Sequence, residues 1–276
     1  LLGETSSLIF LLSISAHTNF HTARFFISMR VPQFDLTNQI DRIQAEIHTA
    51  IENVISHRQF ILGPEVEALE KDLSGYCGAR HAVGVSSGTD ALLLALMAID
   101  ISPGDEIITT PFTFFATAGV IVRLGARPVF VDIEPESFNL DAAKVEDAIS
   151  EKTKAIIPVH LFGRCVSMKP LLRIAKENDL HIVEDAAQAL GARTEQGMAG
   201  TIGDAGCYSF FPTKNLGAFG DAGMVVTQDE KLFGRLRKLR VHGSTEKYKY
   251  EEVGGNFRLD TLQAAILQVK LKYLDE

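Results

Sequence analysis

Short β-branched runs alternate with helical stretches between residues 81 and 240. The runs span 82–85, 107–110, 128–133, 154–159, 181–184, 206–210 and 223–227. The helical stretches that separate or follow them span 89–99, 114–124, 141–150, 167–178 and 229–240. Strands that alternate with helices pair mainly in parallel, and helices then cover both faces of their sheet. The pattern predicts an α/β fold with a mainly parallel, seven-stranded sheet and helices on both faces.

The composition argues against several classes of protein. The 276 residues carry a formal net charge of −8, and 46% of them are hydrophobic. An acidic chain lacks the basic surface that nucleic-acid binding requires, so we expect a cytoplasmic enzyme with no nucleic-acid partner. The three cysteines, Cys77, Cys165 and Cys207, are far apart and show no CxxC spacing. We interpret them as reduced thiols, with no disulfide and no metal site.

The first residues look unlike the rest of the chain. The sequence begins with Leu1, and its first methionine is Met29. Residues 6–14 form an apolar run, but no basic segment precedes it and no clear cleavage site follows. The run is also too short to cross a bilayer, so we expect no membrane association. We interpret residues 1–28 as a non-native or upstream-translated extension, with a transit peptide as the alternative.

One lysine lies in a glycine-rich turn between two predicted strands. The run 206–210 is followed by Pro212 and Lys214, and glycines then recur at Gly217, Gly220 and Gly223. Glycine has no Cβ, so backbone in such a turn can approach a flat ligand closely. A lysine held there can lose its proton and attack an aldehyde as an amine nucleophile. An ordinary surface lysine in a turn is the alternative.

Other residues that follow the predicted strands can bind charged groups. In parallel sheets, ligands bind outside the carboxyl ends of the strands. Gly88 and Thr89 would present N–H groups and a hydroxyl to an anion at a helix start, although such residues are also ordinary helix caps. Asp185 could pair with a protonated ring nitrogen, or cap the following turn. Ser209 could reach a phosphate, and His160 could donate to a ligand or be a satisfied structural histidine.

An aromatic cluster at residues 112–115 completes this set, and one of its rings could stack on a planar cofactor. Periodicity does not choose among these rings, and core packing is the alternative. An amine nucleophile, a carboxylate, a phosphate site and an aromatic ring are together what pyridoxal 5'-phosphate requires.

The same motifs resemble the DegT/DnrJ/EryC1/StrS family of pyridoxal-phosphate-dependent sugar aminotransferases, which have the fold type I of aspartate aminotransferase. The resemblance covers residues 31–276. The motifs that carry it are Ser86-Ser87-Gly88-Thr89-Asp90-Ala91-Leu92, Pro111-Phe112-Thr113-Phe114, Glu184-Asp185-Ala186-Ala187-Gln188, Ser209-Phe210-Phe211-Pro212-Thr213-Lys214 and Gly255-Asn256-Phe257-Arg258-Leu259-Asp260.

The resemblance implies a role for each candidate site residue. Lys214 would form a Schiff base with the cofactor, and Asp185 would pair with its pyridine nitrogen. The other implied contacts are Gln188 and Phe114 on the two faces of the ring, Gly88, Thr89 and Ser209 on the phosphate, and Asn256 of a neighbouring subunit completing the phosphate site. A homodimer with shared active sites would then be the functional unit.

The resemblance also implies a domain organisation and a reaction. An N-terminal helical segment would span 29–80 and the cofactor-binding large domain 81–245. Residues 246–276 would begin the connection to a small C-terminal domain that lies beyond this sequence. Lys214 favours transamination over the dehydration that relatives with histidine at this position catalyse. An amino group would move, from glutamate in most of the family, to a nucleotide-linked keto-sugar in amino-sugar or polysaccharide biosynthesis.

Two alternative functions and the role of one loop remain undecided by the sequence. Residues 84–88 match the GxSxG pattern of serine hydrolases, with Ser86 as nucleophile and His160, His181 or His242 as base. A non-catalytic regulator with the same fold is the second alternative. Residues 243–253, with Lys247, Tyr248 and Tyr250, are a plausible loop over the sugar or nucleotide, and a solvated loop explains them nearly as well.

Overall fold

The computed structural model describes residues 31–246 and 248–276. The predictions for residues 1–28 and for Lys247 lie outside the described residues. The chain divides into two compact units, Leu1–Gln44 and Ala45–Glu276. The described part of the first unit is residues 31–44, which include the beginning of the first helix. The second unit contains the sheet and the candidate site.

The described residues form seven α-helices and eleven strands. The helices are α1 Thr37–His57, α2 Pro64–Cys77, α3 Gly88–Ala98, α4 Phe115–Arg123, α5 Met168–Glu177, α6 Glu230–Leu239 and α7 Thr261–Leu271. The first five strands are β1 His81–Val85, β2 Glu106–Thr109, β3 Arg127–Phe130, β4 Thr153–Ile156 and β5 His181–Asp185. The remaining strands are β6 Arg193–Thr194, β7 Gly197–Met198, β8 Ala205–Ser209, β9 Gly223–Thr227, β10 Ser244–Glu246 and β11 Lys249–Tyr250.

Seven of these strands form the central sheet, in the order β1-β9-β8-β5-β4-β2-β3. β9 runs antiparallel to its neighbours β1 and β8, and the other pairings are parallel. Each strand overlaps one of the seven β-branched runs in the sequence. The predicted seven-stranded, mainly parallel sheet is therefore confirmed.

Most strands of the central sheet are buried on both faces, as the near-continuous apolar runs predict, whereas the edge strand β3 is partly exposed. In β9, Val225 packs into a cluster that contains residues of α3 and α6. Its neighbours Met224 and Val226 pack into a second cluster, with residues of α2 and α7. Successive side chains of a strand point to opposite faces, so the two clusters lie on the two sides of the sheet. A third cluster joins α5 to β2, β4 and β5.

Local signals explain where several helices begin and end. Pro64 occupies the first turn of α2, where a missing N–H costs nothing. Gly78 ends that helix in the left-handed conformation, with φ of 76°. The Asp229 carboxylate caps α6 by accepting a hydrogen bond of 2.7 Å from the Leu232 N–H.

The predicted helix at 141–150 is wrong. The structure has two 3₁₀ turns there, Ala142–Lys144 and Glu146–Ala148, and Ile149 is already extended. Val145 is completely buried, but few other side chains of this segment are. Its apolar side chains Ala142, Val145, Ala148 and Ile149 still pack with the α5 cluster, but through i to i+3 turns that do not continue as an α-helix.

Residues 243–253, predicted as a loop, contain the short antiparallel pair β10 and β11. Tyr248 lies between these strands and is 80% exposed.

Candidate active site

A cavity of about 500 Å³ lies at the carboxyl ends of the parallel strands. Its walls come from the segments that follow β1, β2, β4, β5 and β8. Seven of the eight residues predicted from the sequence line it: Gly88, Thr89, Phe114, Asp185, Gln188, Ser209 and Lys214. The eighth, Asn256, is exposed and is absent from the lining of this cavity.

Asp185 is the last residue of β5, and its side chain is held from two directions. The Thr117 hydroxyl donates to Oδ2 at 2.8 Å, and the Ala187 N–H donates to Oδ1 at 3.2 Å. The residue is only 6% exposed. Burial raises the pKa of the Asp185 carboxyl, while the hydrogen bonds and the Lys214 charge oppose that shift. The fold therefore buries the Asp185 carboxylate away from water, where a cationic partner would stabilise its ionised form.

Lys214 lies in the turn that follows β8. Its N–H donates to the Phe211 carbonyl at 2.8 Å, which closes the turn. A Cβ on Gly217 would lie 2.4 Å from the Pro212 carbonyl oxygen, so this turn has its shape only with glycine there. The Lys214 side chain is half-buried in the cavity wall. Burial lowers the pKa of its amine, against the attraction of Asp185, and this favours the nucleophilic form.

The beginning of α3 has the backbone geometry that an anion site requires. Ser87 is the N-cap, and its hydroxyl accepts the Asp90 N–H at 3.0 Å. Gly88 and Thr89 are thus the first residues of the helix and not its cap, where N–H groups lack helical partners. A Cβ on Gly88 would lie 2.5 Å from the Ser209 Cβ, so glycine is what lets β8 approach. This approach brings the Ser209 hydroxyl to the same end of the cavity.

Gln188 and Phe114 line the cavity between these groups. The Phe162 N–H donates to the Gln188 Oε1 at 2.8 Å, which holds the amide in place. Phe114 directly precedes α4 and is 72% exposed, so its ring is available to a ligand. Their roles on the two faces of a ring stay a prediction.

Sequence reasoning missed Thr117, which is completely buried behind the site. The Thr113 and Thr117 hydroxyls lie 2.9 Å apart, and Thr117 in turn bonds Asp185. The four-residue spacing of two threonines at the predicted start of a helix was the available signal. Thr213 and Asp221 also line the cavity, and the only signal for them was their proximity to Lys214 in sequence.

His160 is a satisfied structural histidine. Its Nδ1 accepts the Val166 N–H at 3.0 Å, so its Nε2 carries the proton and donates to the Glu184 Oε2 at 2.8 Å. Glu184 also accepts from the N–H groups of the segment that precedes β8. These groups belong to Gly200, Ile202 and Gly203. The pair anchors the strand end that bears Asp185, and neither ring nitrogen is left for a ligand.

The geometry gives the GxSxG serine no catalytic base. The Ser86 hydroxyl donates to the Asp90 carboxylate at 2.6 Å, and Ser86 is not among the residues that line the cavity. Both ring nitrogens of His160 are engaged, and His181 lies at the opposite end of β5, beside Asp204. Among the hydrogen bonds of the described residues, none joins Ser86 to a histidine. The arrangement that a serine nucleophile needs is therefore missing there.

Comparison with known proteins places these residues in a family context. The model of the DegT/DnrJ/EryC1/StrS aminotransferase family matches residues 41–276. The chain is 52% identical, over 247 residues, to the "Pleiotropic regulatory protein" of Geobacillus stearothermophilus. It is 46% identical, over 244 residues, to a UDP-N-acetyl-3-dehydro-alpha-D-glucosamine 3-aminotransferase of Acidithiobacillus ferrooxidans. These matches cover 90% and 88% of this chain and 66% of each relative, so the chain spans slightly less than two thirds of their length.

Solved structures agree in fold. DesV of S. venezuelae superposes with a TM-score of 0.86 at 46% identity, covering 89% of this chain and 66% of DesV. NtdA of Bacillus subtilis, solved with bound cofactor PMP, superposes with a TM-score of 0.83 at 36% identity, covering 88% of this chain and 56% of NtdA. The family model, the relatives and the folds agree, and we conclude that the chain belongs to the DegT/DnrJ/EryC1/StrS aminotransferase family.

Proposed function

We propose that the full-length protein is a pyridoxal-phosphate-dependent aminotransferase that moves an amino group, with glutamate as donor, to a nucleotide-linked keto-sugar. The observation that carries this proposal is the meeting of Lys214 and Asp185 in one cavity. The amine and the carboxylate lie at the ends of different strands, and an anion site lies beside them. Family membership supports the same reaction class.

The residues present fit pyridoxal phosphate. A phosphate suits the beginning of α3, where Gly88 and Thr89 of the first helical turn line the cavity together with Ser209. A protonated pyridine nitrogen suits Asp185, because it supplies the positive charge that a buried carboxylate requires. An aldehyde suits the half-buried amine of Lys214. Gln188 and Phe114, which both line the cavity, would confine a flat ring between them.

Each residue then has a stated task in the reaction. The cofactor, when bound, supplies an electron sink for the pair left on the donor's α-carbon. Lys214 would hold the cofactor covalently at rest, and its free amine would take the α-proton of the donor as general base and then give that proton up again as general acid. Asp185 holds the proton on the pyridine nitrogen, and Thr117 orients that carboxylate. Burial lowers the pKa of the amine, so a larger fraction of it is unprotonated and able to accept a proton.

The substrate class follows from the relatives. One relative is named for a UDP-linked sugar and another for a dTDP-linked sugar, at 46% identity each. We expect a nucleotide-linked keto-sugar here as well, and a cytoplasmic protein. The β10–β11 hairpin, with exposed Tyr248 and Tyr250, is our proposed contact with the sugar or nucleotide. No helix in the described ranges has the length and hydropathy that crossing a membrane requires.

We also propose a homodimer in which Asn256 enters the partner's site. Within one chain this residue is exposed and lines no part of the cavity, so a second copy would have to supply it. Phe112, Phe114 and Phe115 are exposed near the cavity mouth, as expected of an apolar surface that another chain covers.

The domain division at 28, 80 and 245, with a small domain after residue 276, remains our proposal.

The test compares full-length protein with its Lys214→Ala variant. With added cofactor, we expect the first to absorb visible light and to be trapped by borohydride at Lys214. We expect the variant to show neither property and to lose about 10³-fold or more of its turnover. Lys231→Ala, at an exposed position of α6, is the control and should behave like the wild type. A colourless protein whose turnover survives Lys214→Ala would overturn the proposal.

A regulatory function is a second candidate, because one relative is named for regulation. The same variant separates the two. A regulator needs no amine chemistry, so its biological effect would persist in Lys214→Ala, whereas an effect that depends on the aminated product would disappear.

A further inference from the structure

A buried lysine on α7 holds the bend that follows Lys214. The Lys270 Nζ donates to the Gly217 carbonyl at 2.5 Å, and it lies 5.8 Å from the centre of the Phe219 ring. Lys270 is only 4% exposed. Among the described residues no carboxylate forms an ion pair with it. Its charge is stabilised by one carbonyl dipole and one aromatic face.

A second residue of α7, Gln263, forms hydrogen bonds to the same bend. The Gln263 Oε1 accepts the Phe219 N–H at 2.9 Å, and its Nε2 donates to the Phe219 carbonyl at 3.4 Å. One helix therefore makes three hydrogen bonds to backbone groups at Gly217 and Phe219. The bend begins at Lys214, so its position sets where that side chain starts.

A lysine is a costly choice for this place. The neighbouring buried residues of α7 include Ile266, Leu267 and Val269, so an apolar side chain would suit the packing. Burying an ammonium without a carboxylate partner opposes folding, and here burial lowers the pKa of the Lys270 amine. Such a cost is characteristic of sites where a backbone must be held in one arrangement for function.

We infer that Lys270, together with Gln263, is a positioning residue of the proposed transamination, fixing the 214–220 bend so that the Lys214 amine meets its target. The inference rests on the proposed function. A shift of about 1 Å in a reacting group can cost about 100-fold in rate. Loss of the hydrogen bonds from Lys270 or Gln263 to the bend should therefore lower kcat while leaving substrate affinity nearly unchanged.

The test uses the full-length protein and four variants. Lys270→Met removes the donor but keeps most of the length of the side chain, and Gln263→Leu removes the hydrogen bonds to Phe219. Lys270→Arg restores a donor, and Lys272→Met is the matched control on the same helix. The Lys272 side chain is 62% exposed, and its ion-pair partner among the described residues is Glu46 on the surface.

We expect Lys270→Met to lower kcat by about 10- to 100-fold with KM changed by about 3-fold or less. Gln263→Leu should act in the same direction, Lys270→Arg should recover part of the loss, and Lys272→Met should match the wild type. A merely structural role would instead change the melting temperature and the yield, while kcat per folded molecule stays unchanged.

A second readout needs no turnover. In cofactor-free protein, the rate of Lys214 reductive methylation can be followed against pH by peptide mass spectrometry. Burial lowers the pKa of Lys214, so a bend that shifts outwards should move the labelling midpoint to higher pH in Lys270→Met and not in Lys272→Met. An unshifted midpoint with wild-type kcat, in Lys270→Met or in a folded Gln263→Leu, overturns the inference. Absence of transamination in the wild type would overturn the proposed function instead. The labelling midpoint would still show whether Lys270 and Gln263 fix the position of the Lys214 amine.

Discussion

Asp185 shows how one residue can oppose folding and serve the site. Its carboxylate is nearly inaccessible to water, and burial raises its pKa above the ordinary value of 3.8. The folded protein therefore binds a proton at Asp185 more tightly than the unfolded chain does. Stability contributed by this residue falls as pH rises from 3.8 towards the folded pKa. In the absence of a cationic partner, the ionised form is a destabilising element of the structure.

We predict that Asp185→Asn stabilises the cofactor-free protein and inactivates the enzyme. An amide can keep the contacts with Thr117 and Ala187 without a buried charge. The free energy of unfolding should rise by about 1 kcal/mol at neutral pH, and turnover should fall by about 100-fold or more. Thermal unfolding across pH 4 to 8 measures the first effect. The gain should shrink towards the acid end, and a variant less stable than wild type at neutral pH would contradict the argument.

At the scale of elements, the end of β5 is tied to the segment before β8 through one side chain. The Glu184 carboxylate is completely buried and accepts four hydrogen bonds, from Gly200, Ile202, Gly203 and His160. Each oxygen accepts two of them. This pairing sets the end of the strand whose next residue is Asp185, and so connects packing between elements to the geometry of the site.

We predict that Glu184→Gln destabilises the protein by about 2–6 kcal/mol. An amide nitrogen in place of one oxygen would face two donors, and each unpaired buried donor costs about 1–3 kcal/mol. Glu177→Gln is the control, since that side chain is 54% exposed and pairs with Arg173 on the surface, a contact typically worth about 1 kcal/mol or less. Urea unfolding of the two variants gives the comparison. Equal stability of both variants would show that the hydrogen bonds to Glu184 do not contribute to the free energy of unfolding.

At the scale of the whole molecule, the cavity of one chain lacks one of the residues predicted for it. If Asn256 acts in the partner's site, then Lys214 and Asn256 of one site come from different chains. Lys214→Ala and Asn256→Asp would then damage different halves of a shared site. A mixed dimer of the two variants contains one intact site.

We predict that coexpression of these two variants restores about a quarter of wild-type activity. Random pairing makes half of the dimers mixed, and one of the two sites in each is intact. Lys214→Ala coexpressed with Asp185→Asn is the matched control. Both of those residues belong to the same half-site, so no mixed dimer regains an intact site. Equal activity in the two mixtures would place Asn256 outside the shared site.

The sequence alone determined the strands, most of the helices and seven residues of the cavity lining, out of eight predicted. These features depend on local spacing, such as β-branched runs followed by glycines, acids or a helix cap. The same reasoning failed at 141–150, where apolar residues at helical spacing form two 3₁₀ turns and no α-helix. It also left the role of His160 open, because a histidine at a strand end has the same local pattern whether it is free or paired.

Only the tertiary structure decided which side chains meet. Thr117 and Asp185 are 68 residues apart, and Lys270 and Gly217 are 53 apart, yet each pair is joined by a hydrogen bond. Such pairs depend on strand order and on how α4 and α7 pack, and no periodic pattern records these. The same holds for burial, which shifts the pKa values of Asp185 and Lys214 through surroundings contributed by distant segments. Local sequence patterns identified the reactive side chains, and long-range packing determines the environment around them.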